Sequence, residues 1–305
     1  MALKATSLAL GLSTLMAALP VSAANVVASI KPVELLVKAV GGDTTNITTL
    51  VPPGASPHNY SMKPSQRRAL ENADVVFWIG PDMETFLERL LGSEEFEGRV
   101  VALADHEDEE RPEPERDDHG HEPHGHTHGG GEDPHIWVDP QLALEMAQKI
   151  HAQLGSLDGA NRQQLDANLA QFEQALHETE ETISQQLTAV EDVSLFAYHS
   201  AFERFAEHYK LNLEGVLTLN PELSPGARHI ADVQNKLRKA NQPCLLTEPQ
   251  FDRQWWRSIT QGLDVTFSTW DPLAMDIEPN AEGYLKFQQS IADAVLKCSP
   301  KHTKQ

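Results

Sequence analysis

Short β-branched runs alternate with helical stretches through both halves of this 305-residue chain, and that alternation leaves few architectures open. Residues 25–30, 46–51, 74–80 and 99–104 read as strands, with helices predicted over 33–40, 65–72 and 83–91 between them. Such an order folds into a parallel sheet with helices packed on its faces. Pro64 and Pro81 stand near the starts of the second and third helices, where a missing N–H costs little. The second half repeats the style, with strands at 193–198, 213–219, 244–247 and 265–269. Its helices are expected to begin at Ala201, at Pro225 behind the N-cap Ser224, and near Asp252, and a last helix spans 281–296.

Between the halves, Asp139-Pro140 is an N-cap followed by proline, opening a helix through about Leu154. Residues 160–190 then place Leu165, Leu169, Phe172, Leu176, Ile183 and Leu187 at helical spacing, with no Gly or Pro in the interior. Some thirty residues is long for a globular helix, and the stretch lies near the chain midpoint. It reads as a rigid rod. The expected fold is therefore α/β: two lobes, each with a small parallel sheet flanked by helices, joined by one long linker helix. The lobes are residues 25–157 and 191–305, with the linker over 158–190.

Residues 1–24, MALKATSLALGLSTLMAALPVSAA, carry one lysine (Lys4), an apolar run over 8–19 and small residues at Val21-Ser22-Ala23. That pattern is a secretory leader with cleavage after Ala23 or Ala24. The run falls short of the ~20 residues that a bilayer-spanning helix needs. No cysteine follows the cleavage region, and no later segment is apolar enough to span a membrane. The expected product is exported, soluble and not membrane-embedded, with about 280 residues for two modest cores. In that compartment Cys244 and Cys298 can pair or remain two buried thiols; they are too far apart in sequence for a CxxC-type zinc site. The net charge of −21 excludes nucleic acid, which needs a basic face. It suits a cationic ligand and also keeps an exported protein soluble.

The tract at 105–131, DHEDEERPEPERDDHGHEPHGHTHGGG, sets six histidines (His106, His119, His121, His124, His126 and His128) among ten acids. It has too little apolar surface to offset its ordering entropy and is expected to be a mobile loop. Neutral imidazoles at that density chelate borderline metals, zinc above all. The plainer alternative is a solvated linker.

Four other residues occupy special positions. His58 lies in PPGASPHNY past the second strand, and His135 in DPHIWVDP where the tract re-enters the first lobe. His199, ending the run in LFAYHS, directly follows a strand, and Asp271 in TFSTWDP directly follows another. Parallel sheets bind ligands in the crevice outside the carboxyl ends of their strands, which would gather all four in one cleft. Three imidazoles and one carboxylate suit tetrahedral zinc, whereas a harder cation such as manganese takes more carboxylates. Glu248, in LLTEP after a strand, is a candidate to orient one of the rings. Taken singly, each has an ordinary reading: a strand-end histidine usually hydrogen-bonds or faces solvent, and Asp-Pro opens turns. His151, His177, His208, His229 and His302 are assigned to that ordinary reading.

The chain resembles the zinc-specific solute-binding proteins of bacterial ABC importers, the ZnuA family, over essentially its whole length after the leader. The segments that carry the resemblance are ASIKPVELLV, VPPGASPHNYSMKPSQ, NADVVFWIGPDMETFLERL, PHIWVDP, AYHSAFERFAEHY, LSPGARHIADV, LLTEPQF and WDPLA. The resemblance implies a periplasmic, monomeric, non-enzymatic protein. It would bind Zn2+ as cargo and deliver it to a membrane permease with a cytoplasmic ATPase. It places the family's metal histidines on His58, His135 and His199 and its late aspartate on Asp271. It also implies a Cys244–Cys298 disulfide and likens residues 105–131 to the family's His-rich loop, a weaker second site. Some members carry a glutamate just before the first metal histidine, where this chain has Pro57. Manganese-binding relatives carry a carboxylate where His199 stands. The alternatives are manganese or nickel as cargo, a periplasmic zinc store or chaperone, and a secreted zinc hydrolase; against the last, the chain has no HExxH-like helix. Because imidazole must be neutral to ligate, zinc affinity is expected to weaken below about pH 6.5.

Overall fold

The computed structural model describes residues 23–104, 133–218, 225–251, 256 and 259–300. Residues 1–22 of the expected leader, the His-rich tract with its six histidines, Ser224, Asp252 and His302 lie outside the described residues. Strands β1 (Ala24–Ala28), β2 (Thr45–Thr49), β3 (Val75–Trp78) and β4 (Val100–Ala102) form one parallel sheet in the order β2-β1-β3-β4. Strands β5 (Leu195–His199), β6 (Leu213–Thr218), β7 (Cys244–Thr247) and β8 (Thr266–Thr269) form a second parallel sheet in the order β6-β5-β7-β8. The two sheets thus share one connectivity. Every residue of β3, β5 and β7 is buried, as expected of strands covered on both faces.

Helices α1 (Lys31–Gly41), α2 (Pro64–Glu71) and α3 (Thr85–Leu91) belong to the first half. The third helix starts two residues later than expected because a turn precedes it. There the buried Glu84 carboxylate accepts the backbone N–H groups of Ile79 at 3.3 Å and Gly80 at 3.0 Å. Pro81 sits in that turn rather than in the helix. Helix α4 (Pro140–Ser156) is capped as expected: Asp139 accepts from the N–H of Gln141 at 2.7 Å and of Leu142 at 3.1 Å. In the second half, a 3₁₀ turn at Ser200–Phe202 precedes α6 (Glu203–His208), and α7 (Ala227–Lys239) starts after Gly226 rather than at Pro225.

The long helix α5 (Arg162–Leu187) ends in a 3₁₀ turn at Thr188–Val190. Leu165, Phe172, Leu176, Ile183 and Leu187 are buried on one stripe. That stripe packs on α1 and α4 and on the closing helix α8 (Gly283–Leu296), so the expected long linker helix is α5, and it is also part of the core. One apolar cluster runs through Leu36, Ile150, Phe172, Ile183, Phe287 and Ile291, crossing from one lobe to the other. Helix α8 also lies against α1, where a Cβ on Gly283 would stand 2.8 Å from Leu35 Cδ2; only glycine permits that approach. Smaller clusters fill the outer faces, around Leu70 and Phe96 in one lobe and Phe196 and Leu237 in the other. Cys244 and Cys298 form a disulfide tying the start of β7 to the end of α8.

Candidate metal centre

Three histidines from distant segments meet between the lobes. Ser56 opens a short 3₁₀ turn, Pro57–Asn59, and its Oγ accepts the His58 N–H at 3.3 Å. Gln66 ties that loop down by accepting the Lys63 N–H at 2.7 Å and donating to the Leu50 carbonyl. His135 follows an Asx-type turn, in which Asp133 Oδ1 accepts its backbone N–H at 3.1 Å. His199 is the last residue of β5, at the carboxyl edge of its sheet. Nε2 of His135 lies 3.3 Å from Nε2 of His58 and 3.2 Å from Nε2 of His199. Ligand nitrogens of all three rings fall within 4.8 Å of one another. A tetrahedral zinc with bonds of about 2.0–2.1 Å sets its ligand nitrogens about 3.3–3.4 Å apart, which these separations match.

Two carboxylates decide what those nitrogens are. Asp133 Oδ1 accepts from His135 Nδ1 at 2.5 Å, and Glu248 Oε1 accepts from His199 Nδ1 at 2.7 Å. With Nδ1 as the donor, each ring presents a bare lone pair at Nε2. Two such lone pairs 3.2 Å apart cannot hydrogen-bond to each other; a cation between them satisfies both. Burial, with the charges of His135 and His199, pushes His58 down to about 3. Burial likewise lowers His135, against the pull of Asp133. Burial would raise Asp133, but the hydrogen bond and charge of His135 and the charge of Arg204 outweigh it and hold the carboxyl below its ordinary value. At neutral pH the rings of His58 and His135 are thus uncharged and ready to ligate. The cavity they line has a volume of about 20 Å³ and is walled by Met83, Trp137, Phe251, Pro272 and Leu273. That is room for one water-sized sphere and not for an organic solute.

The sequence profile of a family described as the periplasmic component A of a zinc-uptake complex, ZnuA, matches residues 26–298. The chain belongs to the ZnuA family. It is 32% identical over 292 residues to the high-affinity zinc uptake system protein ZnuA of Yersinia pestis, covering 91% of this chain and 92% of that one. A crystal structure of ZnuA superposes with a TM-score of 0.68 at 25% identity, covering 88% of this chain and 98% of the other. The periplasmic zinc binding protein TroA from Treponema pallidum shares the fold, with a TM-score of 0.74 at 18% identity over 90% of this chain and 98% of its own. The ZnuA family is periplasmic, and no described helix here is long and apolar enough to cross a membrane.

In this ZnuA-family chain Asp271 stands apart from the histidine cluster. Its Oδ1 accepts from Gln250 Nε2 at 2.6 Å and from the Leu273 N–H at 3.0 Å, and its Oδ2 accepts the Met275 N–H at 2.6 Å. The carboxylate serves as the cap of the turn that follows β8. Among the described residues, the histidines expected to be ordinary have protein partners: His151 with Asp166, His177 with Glu181, His208 with Asp139 and Glu180, and His229 with the Val216 carbonyl. Reading the sequence identified Glu248 but missed Asp133 and Arg204. The available signal was the D-P-H spacing, in which an aspartate two residues before a histidine can reach both its N–H and its ring.

Proposed function

We propose that this chain captures Zn2+ in the periplasm on His58, His135 and His199 and delivers it, as a monomer, to the membrane permease of an ABC importer driven by a cytoplasmic ATPase. The observation that carries the reading is the pair of carboxylate-tethered rings whose Nε2 lone pairs converge with His58 on a one-atom cavity. The similar proteins are high-affinity zinc uptake system proteins, which supports it. No carboxylate belongs to the clustered set among the described residues, which favours zinc over manganese. The reading is binding rather than hydrolysis, because the chain has no HExxH-like helix and belongs to a family of zinc-uptake components.

A fourth ligand comes either from water or from Asp271 once it gives up Gln250. Asp271→Ala separates the two: a loss of about tenfold or more in affinity puts the carboxylate on the ion. Residues 1–24 act as the cleaved leader, and the histidines of 105–131 act as weaker zinc sites that gather the ion. Deleting 106–130 then lowers zinc stoichiometry while leaving the tight site. The deciding experiment is a competitive titration of metal-free protein with zinc, manganese and nickel, repeated on His58→Ala and His199→Ala. Tighter binding of manganese or nickel, or tight zinc binding that survives both substitutions, refutes the proposal.

A further inference from the structure

Arg204 and Asp133 meet across the two lobes next to the histidines, 71 residues apart in sequence. Arg204 lies on α6, five residues past His199; Asp133 immediately precedes the Pro134-His135 step. The guanidinium grips the backbone carbonyl of Asp133 with two N–H groups, Nε at 2.9 Å and Nη2, and its Nε lies 3.7 Å from Oδ2. The other carboxylate oxygen of Asp133 holds both the backbone and the ring of His135. Oδ2 is buried and makes no hydrogen bond among the described residues, so the positive charge of Arg204 is what faces it. A path of direct contacts therefore joins the His199 segment to the His135 ring without passing through an ion.

We infer that Arg204 and Asp133 are positioning residues that set the separation between His135 and His199, and with it the zinc residence time and the preference of the site for zinc over manganese. The inference rests on the zinc reading of the three histidines. The two rings come from different lobes, so their 3.2 Å separation is a property of the lobe–lobe contact. That separation fits the tetrahedral zinc edge of about 3.3–3.4 Å. A larger cation that takes more oxygen ligands gains from a wider, more open site. Holding the edge short favours zinc; releasing it lets the rings part and admits the larger ion. Arginine suits the task because its planar fork grips one oxygen from two N–H groups and keeps its charge beside the carboxylate. A lysine ammonium supplies a charge but no fork. Asp133 Oδ1, accepting from His135 Nδ1 at 2.5 Å, keeps the Nδ1–H tautomer of the ring in place.

The test uses the full mature protein with Arg204→Met, Arg204→Lys, Asp133→Asn and the double variant Arg204→Met with Asp133→Asn. Zinc dissociation is followed by chelator chase, and zinc and manganese affinities by competition. The tautomer of His135 is read from side-chain ¹⁵N shifts in metal-free protein. Arg204→Met and Asp133→Asn are expected to speed zinc dissociation by about tenfold to a hundredfold and to lower the zinc-to-manganese affinity ratio by about tenfold. Arg204→Lys, which keeps the charge and spares the fold, is expected to show most of the loss of the methionine variant. The double variant should be no worse than Asp133→Asn alone, and Asp133→Asn should populate the Nε2–H tautomer of His135. Dissociation and selectivity within about twofold of the parent in both single variants, or Arg204→Lys equal to the parent, overturns the inference. Losses that add in the double variant overturn the claim that Arg204 acts through Asp133. A His135→Ala control that still binds zinc tightly sinks the underlying zinc reading instead, so the two failures are distinguishable.

Discussion

Glu248 accepts a hydrogen bond from the ring of His199 at 2.7 Å, and both side chains are buried at the carboxyl edge of the second sheet. The bond turns the imidazole so that Nε2 faces the other lobe, where Asp133 does the same for His135. Each lobe thus supplies one ligand already oriented by one acid. The orientation comes at the cost of burying two carboxylates, which the hydrogen bond to one oxygen of each offsets only in part.

Glu248→Gln preserves the shape but replaces the carboxylate with an amide that accepts more weakly and can present its own donors. Zinc affinity is expected to fall by about tenfold to a hundredfold, measured against a chelator of known affinity. An unchanged affinity would mean that packing against Phe251 alone orients the ring.

The pH response follows from the buried histidines. In the unfolded chain His58 takes up a proton near pH 6.5, whereas in the folded protein it resists protonation until about 3. Folding of the metal-free protein is therefore fully supported above about pH 6.5 and loses support as pH falls toward 3, by up to about 1.4 kcal/mol per pH unit from this residue. His135, lowered in the same direction, adds to the trend. The same shifts protect the metal, because protons compete for these rings only below their ordinary range. Three ordinary imidazoles would lose about 10⁴-fold in zinc affinity between pH 7 and 5; the expected loss is smaller because His58 and His135 resist protonation. Zinc titrations at pH 7, 6 and 5, with urea melts of metal-free protein alongside, check both halves. A full 10⁴-fold drop would show that water reaches the rings in solution.

The Cys244–Cys298 disulfide closes a loop of 54 residues that contains β7, β8 and α8. Replacing both cysteines with serine is expected to cost about 4 kcal/mol by the chain-entropy estimate, read from urea unfolding. Zinc affinity in the folded protein should hold, because the bridge lies at the opposite end of β7 from Glu248. A large loss of affinity would place the bridge in control of the cleft.

Phe172→Ala tests whether α5 is a connector or part of the core. Its ring packs edge-on against Tyr284 of α8 at 5.8 Å within the cluster shared by both lobes. The expected loss is about 3–5 kcal/mol in a single cooperative transition. A loss below about 1 kcal/mol, or two separate transitions, would argue for lobes that fold independently.

The parallel sheets were legible from residues such as Val75, Val76 and Leu245, Leu246, because strands covered on both faces need unbroken apolar runs. Asp139 was legible as a cap because capping acts over two or three residues, and His199 as a cleft residue because it ends a strand. Spacing of this kind is local, and the chain carries it openly. What only the tertiary structure decided is which distant groups face each other. It turns Asp271 toward Gln250 and its own turn, lays α8 on α1 at Gly283, and brings Arg204 to Asp133. Those outcomes depend on how a shared apolar core seats one lobe against the other, to within a fraction of an ångström. No pattern of neighbouring residues encodes that relation, because it is set by packing among segments 21 to 248 residues apart.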